Sequence, residues 1–278
     1  MESVLSSSFA VPRWSFWPTE RIRVVSWNID RGLRLAEIID FLRSQDADIL
    51  VLQEVDVNAR RTGYRNIAEE IAVKTGMNYV FGCEFQELTQ GRRSAPAYHG
   101  QATLSRWPIK NPHVMRFRQQ SDFWRPRWFL PRIEPFQERL GGRIALVSEI
   151  WIGCRRLVVY NAHLESRGSD ALRMAQLSET LDDATRYVAT RPVLVAGDLN
   201  VDVARSPLAD ALRRAGFRSA MQSSEANTTT PRGLFRHRRT IDWAYLAGGV
   251  QSISGSVNDT VNASDHYPLS FEFRYAPK

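Results

Sequence analysis

The feature that most constrains this chain is a repeated change of hydrophobic period, between short apolar runs and stripes with helical spacing. Residues 22–27 form a short run rich in β-branched side chains, which is typical of a buried strand. Apolar side chains then recur at i, i+3, i+4 and i+7 from residue 35 to residue 42, and residues 48–52 return to a continuous apolar run. This part of the chain therefore predicts a strand, a helix and a second strand.

The later part of the chain repeats this order. Residues 156–160 and 192–196 have the composition of buried strands, and the stripe between them predicts a helix. The predicted buried face of that helix comprises Leu177, Leu181, Ala184 and Val188. Residues 241–246 and 269–275 predict two late strands. Because no linker or short repeat separates the halves, we expect one α/β domain over residues 21–276, after an N-terminal extension of residues 1–20.

A short helix near residue 210 has clear predicted ends. Ser206 is the expected N-cap, Pro207 the first-turn proline and Gly216 the C-terminal glycine. Its predicted buried face comprises Leu208, Leu212 and Ala215.

Polar side chains follow four of the predicted strands at the point where each strand ends. They occur in the segments Asn28-Ile29-Asp30, Gln53-Glu54, Asn161-Ala162-His163 and Asp198-Leu199-Asn200. Of two later clusters, one contains Asp242 and the other contains the adjacent residues Asp265 and His266. Taken singly, such residues cap turns or mark strand ends. Because strand ends converge on one edge of an α/β sheet, together they predict a shared polar pocket.

Charge and cysteine content limit the partners and the kind of metal site. The chain has 37 Lys and Arg against 30 Asp and Glu, a formal net charge of +7, which favours phosphate-rich partners such as nucleic acid or an anionic lipid surface. With only Cys83 and Cys154, it has neither a disulfide scaffold nor a thiolate metal cage. We expect a cytoplasmic protein, because we find neither a secretion signal nor the ~18 to 20 consecutive apolar residues of a transmembrane segment.

Residues 115–143 depart from the strand and helix pattern and predict a basic, aromatic excursion. Arginines and aromatic residues are interleaved there: Arg116, Arg118, Arg125, Arg127, Arg132, Arg139 and Arg143 with Phe117, Phe123, Trp124, Trp128, Phe129 and Phe136. Such a segment can stack on bases and neutralise phosphates, rest at a lipid interface, or pack on its own domain. For the first two alternatives, the predicted substrate contacts are Trp124, Arg125, Arg127 and Trp128.

A second basic run comes directly before Asp242. It contains the predicted substrate-binding residues Arg232, Arg236, Arg238 and Arg239, with His237 among them. The run is equally compatible with a solvated surface turn.

Seven segments together carry a resemblance to a known family. They are SWNID, LQEVD, HGQATLSRWPI, YNAHLES, VAGDLNVD, RTIDWAYL and SDHYPL, of which GDLN and SDH are the most specific. The chain, from about residue 22 to residue 275, resembles the endonuclease/exonuclease/phosphatase superfamily of metal-dependent phosphoesterases. The resemblance implies a four-layer α/β sandwich, with two facing mixed sheets flanked by helices and the site at one sheet edge. The short YNAHLES segment is more similar to the histidine-bearing hydrolases of this superfamily than to its AP endonucleases.

The resemblance also implies a metal site. Glu54 is similar to the principal divalent-metal ligand, with Asn28 and Asp30 beside it and Asp265 as a further carboxylate on the metal side. Oxygen ligands of this kind suit Mg²⁺ or Mn²⁺.

Five further positions match catalytic residues of the family. The resemblance implies that Asp198 positions or deprotonates the attacking water, and that Asn200 binds the phosphate or orients that water. His266 would meet the phosphoryl oxygens or act as general base, with Asp242 holding its imidazole. His163 matches the additional histidine of the deoxyribonuclease and sphingomyelinase branches, which serves the leaving group or the transition state.

Our leading hypothesis from the sequence is a Mg²⁺- or Mn²⁺-dependent phosphodiester hydrolase, a nuclease of DNA or RNA that uses in-line attack by water. The second hypothesis is a peripheral enzyme similar to phospholipase C or sphingomyelinase, or a small-molecule phosphatase. The third is a non-catalytic nucleic-acid-binding member of the fold.

Overall fold

Two β-sheets lie face to face in a computed structural model of the chain, which describes residues 4–10, 21–129, 133, 139–222, 226–230 and 239–276. Within these residues the larger sheet has eight strands: β1 Val4–Ser7, β2 Ile22–Arg31, β3 Ile49–Val57, β4 Asn78–Arg92, β5 Ala95–Ser105, β7 Arg139–Gly141, β13 Val250–Val257 and β14 Leu269–Tyr275. The other sheet has six: β6 Ile109–Arg116, β8 Ile144–Ile152, β9 Arg155–His163, β10 Val193–Asp198, β11 Arg218–Ser219 and β12 Asp242–Ala247. The first sheet has the order β1-β4-β5-β3-β2-β14-β13, with β7 paired to β4, and the second has the order β11-β12-β10-β9-β8-β6.

Helices cover the outer faces of the sheets. They are α1 Leu35–Ser44, α2 Ile67–Thr75, α3 Asp170–Val188 and α4 Leu208–Arg214, and single 3₁₀ turns occur at Arg60–Thr62, Asp122–Trp124 and Val203–Arg205. The first two helices pack on the larger sheet and the other two on the smaller sheet, while a third apolar layer joins the two sheets. The four-layer α/β sandwich implied by the resemblance is therefore confirmed.

The helical stripes bury the side chains that their spacing predicts. Leu35, Ile38, Ile39 and Leu42 of α1 are all buried. In α3, Leu177, Leu181 and Ala184 are buried and Val188 is partly buried. At α4, Pro207 rather than Ser206 occupies the cap position; the Ser206 Oγ accepts a 3.3 Å bond from the Leu208 amide, and Ala215 is only partly buried.

One parallel strand pair in each sheet directs the candidate site residues to the same edge. Strands β2 and β3 are parallel and joined through α1, and strands β9 and β10 are parallel and joined through α3. Asn28 pairs with Gln53 in the first sheet, and His163 pairs with Asp198 in the second. Because a strand–helix–strand unit returns the chain in the same direction, both pairs end at one mouth of the sandwich.

A buried amide contact joins the sheets just below this mouth. Gln53 Nε2 donates to Asn161 Oδ1 at 2.8 Å, and Asn161 Nδ2 donates to the carbonyls of Leu52 and Ala102, each at 3.0 Å. A register shift between Leu52 and Val55 interrupts the pairing of β3 with β5 at this level. The side chain of Asn161 therefore satisfies carbonyls of the opposite sheet where the ladder is irregular.

The predicted excursion lies between β6, which ends at Arg116, and β7, which begins at Arg139. Its Arg132 and Phe136 lie outside the described residues. The boundary between an extension of residues 1–20 and a domain of residues 21–276 stays a prediction. None of the helices in the described part of the chain is long and apolar enough to span a bilayer.

Candidate active site

Nearly every predicted metal and catalytic residue sits at or just beyond a strand end on the same edge. Asn28 and Asp30 end β2, Glu54 lies in β3, His163 and Asp198 end β9 and β10, Asp242 begins β12, and Asn200, Asp265 and His266 lie in the adjoining loops.

Asp198 is the point where several of these segments meet. Its Oδ2 accepts a 3.3 Å hydrogen bond from Asn28 Nδ2 and lies 3.6 Å from His163 Nε2 and 3.7 Å from His266 Nε2. Its Oδ1 accepts a 2.9 Å bond from the Asn200 amide. All five residues are buried. The fold thus brings together four chain segments, far apart in sequence, around one carboxylate.

His266 is held by a second carboxylate on its other ring nitrogen. Its Nδ1 lies 2.8 Å from Oδ2 and 3.0 Å from Oδ1 of Asp242, whose own amide donates to Thr228 Oγ1 at 3.1 Å. Burial lowers the pKa of the His266 imidazole, but the charges of Asp242 and Asp198 outweigh burial, and the pKa lies well above its ordinary value. The bond to Asp242 fixes the orientation of the ring and leaves Nε2 directed toward Asp198.

Glu54 is an ionised carboxylate at the other side of the mouth. Burial raises its pKa, but the positive charges of Arg31, His99 and His163 bring it well below the ordinary value. Its backbone φ is +51°, and Asp30 and Arg31 also have positive φ, at +43° and +68°. Register shifts interrupt both strands at these positions, and such bulges redirect side chains next to functional sites.

The donor set on this side fits a hard divalent cation. Glu54 and Asp30 supply carboxylate oxygens and Asn28 supplies an amide oxygen; Asn28 and Asp30 lie near the end of β2, and Glu54 lies in its parallel neighbour β3. Arg31 Nη1 lies 2.5 Å from Asp30 Oδ1 and 3.8 Å from Glu54 Oε2, so a cation held there would share these carboxylates with a guanidinium.

Asp265 is connected to the same group through its neighbour in the chain. The hydroxyl of Ser264 donates to the Asn28 carbonyl at 2.7 Å and lies 3.4 Å from Asp265 Oδ1. A second possible arrangement of ligands is formed by Asp198, Asp242 and His266, whose ligand atoms lie within 4.8 Å of one another. His266 Nδ1 is already bonded to Asp242, so in this group the imidazole could offer a cation only its Nε2.

Two charged residues that the sequence reasoning missed contact His163. Arg143 Nη1 lies 3.0 Å from both ring nitrogens of His163, which places the guanidinium against the ring rather than in line with one nitrogen. Glu84 in β4 pairs with Arg143 at 2.7 Å and lies 3.5 Å from His163 Nδ1. Burial raises the pKa of Glu84, but Arg143 and His163 lower it to about 2. The sequence signals were weak: one acidic residue directly after the largely apolar run of residues 79–83, and one arginine among many.

The histidine of the HGQATLSRWPI segment has a structural partner. His99 lies opposite Asp56 in the β3–β5 pairing, and its Nδ1 is 2.9 Å from Asp56 Oδ1. Asp56 also accepts two bonds from Arg61, at 2.7 and 2.8 Å. Both members of the His99–Asp56 pair are buried, so they stabilise the strand pair behind Glu54.

The predicted substrate contacts of the excursion divide into an anchor and an exposed tip. Trp124 is half-buried, and its Nε1 donates to Glu165 Oε1 at 3.2 Å. Glu165 follows His163 by two residues in the chain. Arg125 is exposed and pairs with Asp122 at 3.1 Å, while Arg127 is exposed and Trp128 is 97% exposed. The excursion is therefore attached beside the candidate site while its tip faces solvent.

One residue of the second basic run is described. Arg239 Nη2 donates to the Asn200 carbonyl at 3.3 Å, and its amide donates to Thr229 Oγ1 at 2.8 Å. This places a guanidinium next to the loop that carries Asn200. The predicted substrate-binding residues Arg232, Arg236 and Arg238 lie outside the described residues.

Comparisons with known proteins bear on the family and the fold of the chain. The model of the Endonuclease/Exonuclease/phosphatase family matches residues 25–266. No curated protein sequence is significantly similar to the chain. Among solved structures, an endonuclease/exonuclease/phosphatase from Beutenbergia cavernae DSM 12333 superposes with a TM-score of 0.68 at 19% identity, over 93% of this chain and 72% of that one.

Two eukaryotic structures share the fold to a similar degree. Truncated Caenorhabditis elegans TDP2 gives a TM-score of 0.63 at 19% identity, over 92% of this chain and 98% of that one. The catalytic domain of human Nocturnin, with a bound sulfate anion, gives a TM-score of 0.65 at 20% identity, over 99% of this chain and 98% of that one. At these identities the likeness establishes the fold.

Proposed function

The chain belongs to the endonuclease/exonuclease/phosphatase family, and on that premise we propose that it is a divalent-metal-dependent phosphodiester hydrolase that cleaves nucleic acid. Members of this family are hydrolases that act on phosphoester bonds. The observation that carries the proposal is the position of Asp198, whose carboxylate is within 3.7 Å of side-chain nitrogens of Asn28, His163 and His266. A buried carboxylate surrounded by groups that bind phosphoryl oxygens is what water attack on a phosphodiester requires.

In the proposed reaction a water molecule attacks phosphorus in line with the leaving oxygen. Asp198 orients this water and accepts its proton. Asn200 holds Asp198 Oδ1 through its backbone amide, and its side-chain nitrogen donates to the Leu164 carbonyl at 3.1 Å, so we assign its side-chain oxygen to orienting that water. A divalent cation, held by Glu54, Asp30, Asn28 and Asp265, would offset the negative charge that develops on the phosphate.

His266 and Asp242 form the second part of the proposed machinery. With Nδ1 bonded to Asp242, the Nε2 of His266 is free to donate to a nonbridging phosphoryl oxygen beside Asp198. The carboxylate of Asp242 stabilises the imidazolium form of His266. His266 Nε2 therefore keeps its proton while negative charge develops on the phosphoryl group.

His163 completes the site on the leaving-group side. Its Nε2 faces Asp198, while Arg143 lies against its ring. We assign it to the leaving oxygen, with Glu84 and Arg143 as positioning residues. Because water is the nucleophile in this reaction, no covalent intermediate with the protein is expected. Neither cysteine lies at the site: Cys83 is buried in β4, and Cys154 lies before β9, at the opposite end of that strand from His163.

Nucleic acid is the substrate class that the surface favours. Arg239 borders the site through Asn200, and the exposed tip of the excursion carries Arg125, Arg127 and Trp128. Guanidinium groups next to an exposed aromatic ring can neutralise phosphates and stack on bases. The human Nocturnin domain, which shares the fold, binds a sulfate anion, which has the tetrahedral shape of phosphate.

The exposed aromatic tip also supports a second candidate, a phosphodiesterase that acts at a lipid surface. Besides Trp128, Phe129 is 59% exposed and Phe123 is 51% exposed, and exposed aromatic residues with arginines also suit an anionic membrane interface. In this candidate the catalytic residues keep the same roles and only the substrate changes.

An activity panel tests the proposal. The full chain is assayed on duplex DNA, single-stranded DNA, RNA, sphingomyelin and inositol phosphates, each with Mg²⁺ or Mn²⁺ and with EDTA, and Asp198→Asn serves as the inactive control. We expect cleavage of a nucleic acid that EDTA and the substitution both abolish. Cleavage of sphingomyelin alone would replace the nuclease with the lipid candidate. Nucleic-acid binding with no metal-dependent turnover on any substrate would instead identify a non-catalytic member of the fold.

A further inference from the structure

A cavity of about 600 Å³ lies at the end of the smaller sheet opposite the candidate site. The start of β9, the end of α3 and the loop before β10 line it, together with Gly248 and Gly249, which follow β12. Arg156 and His163 are seven residues apart in β9, so the cavity lies about 23 Å from the catalytic residues at a strand rise of ~3.3 Å per residue. A ligand in this cavity would not contact the catalytic residues.

The charge of the cavity is strongly positive. Arg155, Arg156 and Arg191 line it, and no acidic residue of the described chain does. Arg191 pairs with Glu149 at 2.8 Å, but neither Arg155 nor Arg156 has a carboxylate within ion-pair distance among the described residues. The cavity therefore carries about two uncompensated guanidinium charges.

Aromatic rings hold these two guanidinium groups. Arg155 lies 4.4 Å from the ring centroid of Tyr275, and Arg156 lies 4.6 Å from that of Trp151. Stacking uses the face of a guanidinium and leaves its N–H groups, which lie in the plane, available for bidentate bonds to an anion. Arg155 and Arg156 are neighbours in β9, so their side chains leave opposite faces of the strand and offer phosphate oxygens one preoriented donor on each side of the cavity.

A buried hydroxyl beside the cavity has unused hydrogen-bonding capacity. The Tyr275 hydroxyl has no hydrogen-bond partner among the described residues. Burial raises the pKa of this phenol, so it stays protonated near neutral pH and remains a donor. Buried polar groups without a partner are uncommon, and a ligand that reached this hydroxyl would supply the missing bond.

We propose that this cavity is a second anion site that binds a phosphate-bearing small molecule of nucleotide size. Its volume lies within the range of small-molecule sites, about 300 to 1,000 Å³. Guanidinium groups stacked on Tyr275 and Trp151 would bind the phosphates. The site is separate from the proposed catalytic centre, so it can exist whether or not the chain is a nuclease.

Cys154 provides a local probe, because it lines the cavity and is exposed. The other cysteine, Cys83, is buried in the core, and burial raises its thiol pKa to about 11. A neutral reagent such as iodoacetamide should therefore modify Cys154 selectively in the folded protein. Occupancy of the cavity should slow this modification.

The experiment measures the alkylation rate of Cys154 in the full chain with EDTA present, by mass spectrometry. The probes are inorganic phosphate, pyrophosphate and adenosine 5′-diphosphate, at concentrations up to about 10 mM, which would saturate a millimolar site. We expect at least one probe to slow alkylation about fivefold or more. If adenosine 5′-diphosphate slows alkylation more than pyrophosphate does, a nucleotide is a better ligand than a free phosphate.

Variants establish where the protection arises. The doubly substituted chain Arg155→Gln, Arg156→Gln should lose it, whereas Arg213→Gln, on the exposed surface of α4, and Asp198→Asn should keep it. The comparison uses the ratio of rates with and without probe, since removing nearby charge itself alters thiol reactivity. Absence of protection by all three probes would overturn the proposal, as would protection that survives in the double variant.

Discussion

Arg143 and Glu84 form a buried ion pair of 2.7 Å directly beside His163. Their side chains are 3% and 0% exposed, so neither charge is screened by solvent. Buried pairs of this kind are costly to break, because the remaining partner is left as an uncompensated charge. The pair therefore connects the stability of the sandwich to the geometry of the candidate site.

The first prediction concerns the pH dependence of stability. The pKa of Glu84 is about 2 in the folded protein, below its ordinary value of 4.5, so its ionisation stabilises the fold above pH 4.5 and that contribution is lost as the pH falls toward 2. Glu84→Gln should lower the free energy of unfolding at pH 7 by about 3 kcal/mol. Urea unfolding at several pH values should show the difference from wild type shrinking below pH 4.5.

Glu37→Gln is the matched control for this experiment, because Glu37 is exposed on α1 and pairs only with exposed Arg34 among the described residues. It should change stability by less than about 0.5 kcal/mol. A difference for Glu84→Gln that stays constant from pH 7 to pH 3 would contradict the assignment.

The second prediction concerns His266. Because its Nε2 faces Asp198 and its Nδ1 is held by Asp242, His266→Ala should lower kcat by about 10²- to 10⁴-fold and leave the circular dichroism spectrum unchanged. His113→Ala removes an exposed histidine from β6 and should have no effect on turnover. Undiminished hydrolysis by His266→Ala would refute the proposed role.

The third prediction concerns the metal. Glu54→Gln keeps the size of the side chain but removes the charge that a divalent cation requires. Titration calorimetry with Mn²⁺ should show binding to the wild-type chain and at least tenfold weaker binding to the variant. Glu70→Gln, in a partly exposed ion pair at α2, is the control. Equal Mn²⁺ affinity in Glu54→Gln and wild type would show that the metal does not bind at Glu54.

The fourth prediction concerns the exposed tip of the excursion. Trp128 makes little contact with the fold, so Trp128→Ala should leave stability within about 0.5 kcal/mol of wild type. It should weaken binding of a single-stranded oligonucleotide by about 1 to 3 kcal/mol, the usual size of a base-stacking contact. Arg127→Gln should reduce the slope of log affinity against log salt by about 1.

Phe9→Ala, which removes an exposed aromatic ring that stacks on Tyr79 of β4, controls for general loss of aromatic surface. If Trp128→Ala abolished binding to anionic vesicles and left oligonucleotide binding unchanged, the lipid candidate would take the place of the nuclease.

The strands and helices that the sequence predicted are those with a strong period. The parallel strands β2, β3, β9 and β10 are buried on both faces, so they appear as continuous apolar runs, and the stripe of α1 has an equally direct signature. The true strands β2 and β3 continue past the predicted runs to Arg31 and Val57. Positive φ values and register shifts at their ends place polar residues inside the strand, which a period of two does not anticipate.

The site was predictable where its residues lie in short motifs and not where they act through a distant partner. Asp198, Asp242 and His266 were predicted and do meet. The contact of Arg143 with His163 was not predicted, because the excursion contains seven arginines and nothing in the sequence indicates which of them turns inward. The acid that pairs with it, Glu84, is 59 residues away.

The contact between Gln53 and Asn161 has a further consequence for an enzyme assembled from two halves. Glu54 belongs to one sheet and His163 and Asp198 to the other, so their spacing is only as accurate as the alignment of the layers. A slip of a single residue would displace one half by ~3.3 Å, whereas catalytic geometry tolerates about 1 Å. We therefore expect this neutral amide pair, which lies behind the proposed catalytic residues, to help keep the two halves of the site in register.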